Sequence, residues 1–227
     1  MKQQIAVIGL GRFGISIACT LYAMGHDVLA IDRSESKIQN ISQDVTHAVQ
    51  ADATNEGILK ELGLPNFETA IVAIGTDIKS SVLSTILLKK LGIPHVIARA
   101  NDDLHGSILA RIGADVVTYP EREMGIKIAQ GVTMAEVSDY MSVVEGYGVA
   151  KLATPPYLIG EKLSDLGFGY KGRWDVAVFL IQRGDEVIVT PTPGQKIEAG
   201  DILVLAGSNE KLEKLLAEAR KNKKEEE

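Results

Sequence analysis

From residue 5 to about residue 118 the chain repeats one unit: a short β-branched apolar run, a glycine or polar turn, then a stretch with amphipathic helical spacing. Strands covered on both faces read as near-continuous apolar runs, so this alternation is the pattern of parallel strands joined by crossover helices. The runs predict strands at Ile5–Ile8, Asp27–Ile31, His47–Gln50, Thr69–Ala73, His95–Ala98 and Asp115–Thr118. Helices are predicted near 13–24, 35–43, 55–62, 78–91 and 103–112. Gly25, Gly63, Gly92 and Gly113 stand near the helix stops, where left-handed backbone favours glycine. The fold expected is α/β, a doubly wound parallel sheet of six strands. Right-handed crossovers bring every strand's C-terminal end to one edge, where ligands bind.

After Tyr119-Pro120 the alternation stops. Glu121 to about Tyr140 reads as one long crossover helix with Met124, Ile128, Val132 and Ala135 on its apolar stripe. That stripe exceeds what one sheet face needs and predicts a covering partner subunit. Short β runs follow at Met141–Leu152, Val176–Gln182, Glu186–Thr190 and Asp201–Gly207, with helices near Lys162–Leu166 and Glu210–Arg220. Pro155-Pro156, Pro191-Thr192-Pro193-Gly194 and Gly200-Asp201 punctuate this small α+β domain as turns. The domains expected are therefore 1–119, a helical arm at 120–140, and 141–220, with a charged tail at 221–227 that reads as solvated and frayed.

Composition narrows the class. A chain of 227 residues is long enough for two cores, since domains commonly run to roughly 100–150 residues. A hydrophobic fraction of 45% with 24% charged residues is that of a globular protein. The net charge of −6 argues against nucleic acid as a partner, because counterion release needs a basic surface. No run of about 18 apolar residues could span a bilayer, and Met1-Lys2-Gln3-Gln4 enters a strand too quickly for a signal peptide, so a cytoplasmic location is expected. Cys19, the single cysteine, has no intrachain partner and reads as core packing.

The chemistry concentrates in Ile5-Ala6-Val7-Ile8-Gly9-Leu10-Gly11-Arg12-Phe13-Gly14, a strand, a glycine turn and a helix start. Gly9 allows the tight turn, Gly11 lets a phosphate approach bare backbone, and Gly14 lets the helix pack closely on the sheet. The helix N-terminus then faces the phosphates, so the predicted sheet is Rossmann-like and binds a nucleotide. Asp32 ends the second strand where an acid bonds ribose hydroxyls, with a helix-capping role, shared with Ser34, as the plainer alternative. Asp52, Gly75-Thr76-Asp77 and Arg99 follow later strands, and both aspartates serve equally well as helix caps. The Arg12 guanidinium should reach for phosphate oxygens, which favours ATP or ADP, with NAD or NADH as the alternative; a solvent-facing arginine is the plainer reading.

A small nicotinamide-dependent oxidoreductase is the competing class. It needs a proton donor near the cofactor. His26, His47 and His95 sit at or just before strand starts, away from the binding edge, which leaves His105 as the one histidine candidate. Tyr147-Gly148-Val149-Ala150-Lys151 has the spacing of a dehydrogenase Tyr-x-x-x-Lys, but its glycines and valine favour strand or turn over the helix that chemistry needs.

Ala6-Val7-Ile8-Gly9-Leu10-Gly11-Arg12-Phe13-Gly14, Ala51-Asp52-Ala53-Thr54, Ile71-Val72-Ala73-Ile74-Gly75, Ile112-Gly113-Ala114-Asp115 and Pro120-Glu121-Arg122-Glu123-Met124-Gly125 resemble, in order and spacing, the RCK or KTN (TrkA-N plus TrkA-C) family. Leu163-Ser164-Asp165-Leu166 and Ile197 to Val204 are similar to its C-terminal domain. The resemblance implies a non-enzymatic cytosolic regulatory subunit of a Ktr or Trk potassium uptake system. Such a subunit forms a dimer and an octameric ring, and docks at the inner face of the membrane under a potassium-translocating subunit. It implies that Phe13, Arg33, Ala53, Thr54, Ala73 and Ile74 join Gly9, Gly11, Arg12, Gly14, Asp32, Asp52, Gly75 and Arg99 around the nucleotide. It further implies that Glu121 binds Mg²⁺ or Ca²⁺ between two nucleotide-bound subunits, and that the C-terminal domain binds cyclic di-AMP in some members. A free-standing nucleotide sensor differs from this reading only by its partner.

Overall fold

Ile5, Ala6, Val7 and Ile8 are all buried, as a strand covered on both faces requires. In the computed structural model, which describes residues 2–133, 137–169 and 172–224, they form β1 (Gln4–Ile8). The chain divides into two units, Met1–Glu123 and Met124–Glu227.

In the first unit β1 is joined by β2 (Asp27–Asp32), β3 (His47–Gln50), β4 (Thr69–Val72), β5 (His95–Arg99) and β6 (Val116–Thr118). All pair in parallel, in the order β3-β2-β1-β4-β5-β6. The connecting helices are α1 (Arg12–Ala23), α2 (Glu35–Ile41), α3 (Glu56–Glu61), α4 (Ile78–Lys90) and α5 (Asp103–Arg111). Alternate residues of β1 face opposite sides. Ile5 and Val7 pack with Ala18 of α1 and Ile41 of α2, whereas Ala6 and Ile8 pack with Leu59 of α3, Leu88 of α4 and Leu109 of α5. The sheet is thus doubly wound, as expected, and all its predicted elements appear within two residues of their predicted bounds. Strand order reverses between β1 and β4, which opens a crevice at their C-terminal ends.

α6 (Pro120–Thr133) follows. The long helix expected from Glu121 to about Tyr140 is corrected here: it ends at Thr133, and Val137–Val144 is a strand, β7. Ala135 of the expected stripe lies outside the described residues. β7 forms because Val137, Tyr140, Val143 and Val144 suit a pleated strand, and because β8 (Tyr147–Ala153) turns back at Gly146, φ +77°, and pairs with it. The single run expected from Met141 to Leu152 is therefore a hairpin.

β9 (Ala177–Arg183), β10 (Glu186–Val189) and β11 (Ile202–Ser208) complete an antiparallel sheet in the order β10-β9-β11-β8-β7. Its core gathers Leu152, Trp174, Ile181, Leu203 and Leu205 with Leu212 and Leu215 of α7 (Asn209–Lys224). No helix forms at Lys162–Leu166; those residues make turns, and Lys162 bridges to Lys196. Six residues between Gly160 and Gly167 are too few to offset the cost of helix nucleation. The tail expected to fray from residue 221 is helical through Lys224, the end of α7.

Candidate functional site

The turn after β1 has the geometry its glycines allow. Gly9 takes φ +92°, and its N–H donates to the Ile31 carbonyl at 2.8 Å, which holds the turn against β2. Gly11 is the N-cap of α1 and, having no side chain, leaves the helix's first N–H groups uncapped; no acid stands in that first turn. The positive end of α1 is open to an anion.

Beside this turn lies a cleft of about 390 Å³. Gly9 and Gly11 form one wall, Asp32, Arg33 and Ala53 another, and Ala73, Ile74, Gly75 and Arg99 a third. These nine expected residues are brought together. Arg12, Phe13, Gly14, Asp52 and Thr54 do not line the cleft. Arg12 is exposed at the first position of α1, and Gly14 is buried behind the turn.

Asp32 is built into the cleft wall. Its Oδ2 accepts the Leu10 N–H at 2.7 Å and the Lys37 ammonium at 3.0 Å, and its Oδ1 accepts the Ser34 N–H at 2.9 Å. Burial opposes its charge, but the Ser34 and Leu10 N–H groups and Lys37 outweigh burial and hold the carboxyl below its usual range. Ser34, not Asp32, is the N-cap residue of α2.

The other two aspartates are occupied differently. Asp52 accepts the Thr54 hydroxyl at 2.7 Å and its N–H at 2.9 Å, which keep it ionised with help from Arg33, while Asn55 caps α3. Asp77 caps α4, accepting the Ser80 N–H at 3.0 Å. Arg33 spans the two, with Asp52 at 3.0 Å, Asp77 at 3.8 Å and the Ser80 hydroxyl at 2.7 Å. It ties the end of β2 to the start of α4.

Arg99, the last residue of β5, donates to Glu121 at 2.6 Å. A Cβ added to Gly75 would lie 2.0 Å from Arg99 Nη1, so that glycine is required for the guanidinium to lie against it. Asn101 donates its side-chain amide to the Gly75 carbonyl.

Lys37, Ser80 and Ser84 also line the cleft and were not expected from the sequence. Four hydroxyls, Ser80, Ser81, Ser84 and Thr85, are buried on the first turns of α4, a polar face where packing alone would place apolar residues. That run was the legible signal. His105 lies buried in α5, where burial pushes its imidazole below its ordinary value, and it does not line the cleft. No His, Tyr or Cys lines the cleft among the described residues. Tyr147 and Lys151 lie on β8, the wrong geometry for dehydrogenase chemistry.

A TrkA-N domain model matches residues 5–120 and a TrkA-C domain model matches residues 149–220. The chain is similar to the Ktr system potassium uptake protein C of Bacillus subtilis (strain 168), 40% identical over 208 residues that span 92% of this chain and 93% of that one. It is 39% identical to the Ktr system potassium uptake protein A of the same strain, over 206 residues covering 91% and 92% of the two chains. Among solved structures it resembles the GsuK channel bound to NAD, with a TM-score of 0.51 at 23% identity over 96% of this chain and 38% of that one, which is a likeness of fold.

Proposed function

The chain belongs to the TrkA-N and TrkA-C family of potassium uptake proteins, not to the dehydrogenases, and from that premise we propose that it is a nucleotide-binding regulatory subunit that gates a membrane potassium-translocating subunit. The observation that carries the nucleotide reading is the cleft at the strand reversal between β1 and β4, where the bare Gly9–Gly11 backbone and the open α1 N-terminus face the same space as Asp32. Phosphates fit the first two, a ribose fits the third, and the apolar Ala51 and Ala53 suit a base.

ATP or ADP is the preferred ligand, because Arg12 at the head of α1 supplies a charge for terminal phosphates; NADH is the alternative that Asp32 also suits. The regulatory form is a dimer assembled into an octameric ring, with Mg²⁺ or Ca²⁺ between subunits. Among the described residues of one chain no group of three or more His, Cys, Asp or Glu could hold a metal ion, so Glu121 fits such a role only beside phosphates and the Glu121 of a second copy. Oxygen donors of that kind suit either cation.

Titration calorimetry with ATP, ADP, AMP and NADH tests the reading, and no saturable binding of any of them overturns it. Arg12→Ala is expected to weaken ATP about 10–150-fold, the worth of a charge-assisted bond of about 1.5–3 kcal/mol, and to leave AMP nearly unchanged. Equal affinity of the parent for AMP and ATP removes the role given to Arg12. Co-purification with a membrane subunit separates a gating subunit from a free-standing sensor.

A further inference from the structure

Three cations line the cleft, and each already has a carboxylate. Lys37 serves Asp32, and Arg33 serves Asp52, Asp77 and the Ser80 hydroxyl at once. Arg99 differs from both. One guanidinium nitrogen bonds Glu121, another lies against Gly75, and its Nε is buried with no partner. The Arg99 side chain is 20% exposed, whereas that of Glu121 is 69% exposed, so one end of the pair is held in the cleft and the other stands in water.

The place of this pair matters. Along the binding edge the glycine turn comes first: a Cβ on Gly9 would meet Ile74 at 2.9 Å, Gly75 follows Ile74, and Arg99 lies on Gly75. An anion seated on the glycine turn is therefore one backbone width from a guanidinium with donors to spare. Glu121 meanwhile belongs to the first turn of α6.

Resting on the nucleotide reading above, we propose that Arg99 is an exchange switch: it holds Glu121 until nucleotide binds, then passes to a phosphate and releases the first turn of α6. A phosphate offers more charge and more acceptors than one carboxylate, and matches the fork of guanidinium donors. The Nε gains an acceptor. Glu121, already largely in water, loses little on release, since exposed ion pairs contribute little. Arg33 is less suited, because it would have to leave three partners, Asp52, Asp77 and the Ser80 hydroxyl, where Arg99 leaves one, and Lys37 offers a point charge in place of a fork. The exchange makes the carboxylate of Glu121 a competitor of the ligand, and the coupling is reciprocal by linkage.

The test uses the full chain in EDTA, so that no divalent cation bridges Glu121, with ATP titrated calorimetrically. Glu121→Gln is expected to tighten ATP about 2- to 5-fold, the scale of an exposed ion pair. Arg99→Gln is expected to weaken ATP about 10-fold or more, as loss of a charge-assisted bond does, with Arg99→Lys between it and the parent. In the Arg99→Gln background, Glu121→Gln should change nothing. Tightening of equal size in both backgrounds would mean simple repulsion between Glu121 and phosphate and overturns the exchange. Amide hydrogen exchange gives a second readout: the Glu123 N–H, bonded to the Tyr119 carbonyl at 2.9 Å, should lose protection when ATP binds the parent, and in Glu121→Gln without ATP. If the parent binds no nucleotide, the reading of the cleft fails; if it binds and Glu121→Gln matches it in affinity and protection, the exchange alone fails.

Discussion

Gly14 and Gly11 stand three residues apart in one motif and are glycines for different reasons. A Cβ on Gly14 would lie 1.9 Å from the Gly9 carbonyl oxygen, a backbone atom that cannot give way, whereas a Cβ on Gly11 meets nothing within 4 Å. Gly14→Ala is expected to destabilise the first unit by about 1–3 kcal/mol or more through overpacking. Gly11→Ala should leave stability near the parent's and still weaken nucleotide binding, because its methyl group stands where a phosphate approaches. Denaturant midpoints set beside calorimetric affinities check both; equal loss of stability in the two variants would refute the distinction. Both glycines, and Asp32 after the second strand, are legible in the sequence because each acts through its own backbone or the end of its own strand. Partnerships are not. Nothing in sequence order says that Arg33 joins Ser80, 47 residues on, or that Lys37 turns back to Asp32. The hydroxyl run that holds Ser80 and Ser84 is visible in the sequence, but what it faces is settled only where α4 meets the cleft.

At the scale of elements, the first unit is legible because each strand and helix obeys a local rule, while the second depends on pairing between distant segments. The stretch after Thr133 is the plain case: a helical spacing continues on paper, and the β7–β8 hairpin overrides it. Another long-range device of that unit is Asp201, 1% exposed just before β11, which accepts two bonds from Arg183 of β9, both at 2.8 Å, and the Glu198 N–H at 2.9 Å. Arg183 also bonds Glu198 and the Lys196 carbonyl, so one guanidinium fastens the whole turn before β11. Asp201→Asn leaves that cation short of its carboxylate and should cost about 3 kcal/mol, the low end for a broken buried pair because Arg183 is partly exposed. Arg183 holds the Asp201 carboxyl below its usual value of 3.8. The folded value is thus the lower one, so the contribution is full above pH 4 and is lost as pH falls through the folded value. Thermal melts of parent and Asp201→Asn should therefore converge in strong acid, and a constant gap down to pH 2 would refute the assignment.

At the scale of the whole molecule, the apolar surface of α6 asks for a second chain. Met124 and Ile128, one turn apart on α6, are 54% and 59% exposed, an apolar pair that water disfavours, and Ile126, away from that pair around the helix, is 53% exposed. No described helix is long and apolar enough to cross a membrane. We expect a dimer by light scattering at tens of micromolar, and a lower mass when Met124 and Ile128 are both changed to Glu; a strictly monomeric parent, with and without nucleotide, would refute the assembly. The proposed divalent cation belongs to this scale too, since the carboxylate offered for it, Glu121, is one per chain and is paired with Arg99. Once phosphate takes Arg99, two released carboxylates beside two triphosphates would repel each other, and Mg²⁺ or Ca²⁺ would relieve that repulsion. Cation and nucleotide should then each strengthen the other's binding, as linkage requires. In saturating ATP, added Mg²⁺ or Ca²⁺ is expected to raise the melting temperature of the parent and to raise that of Glu121→Gln much less; an equal rise in both would leave Glu121 as no more than an acid in the first turn of α6.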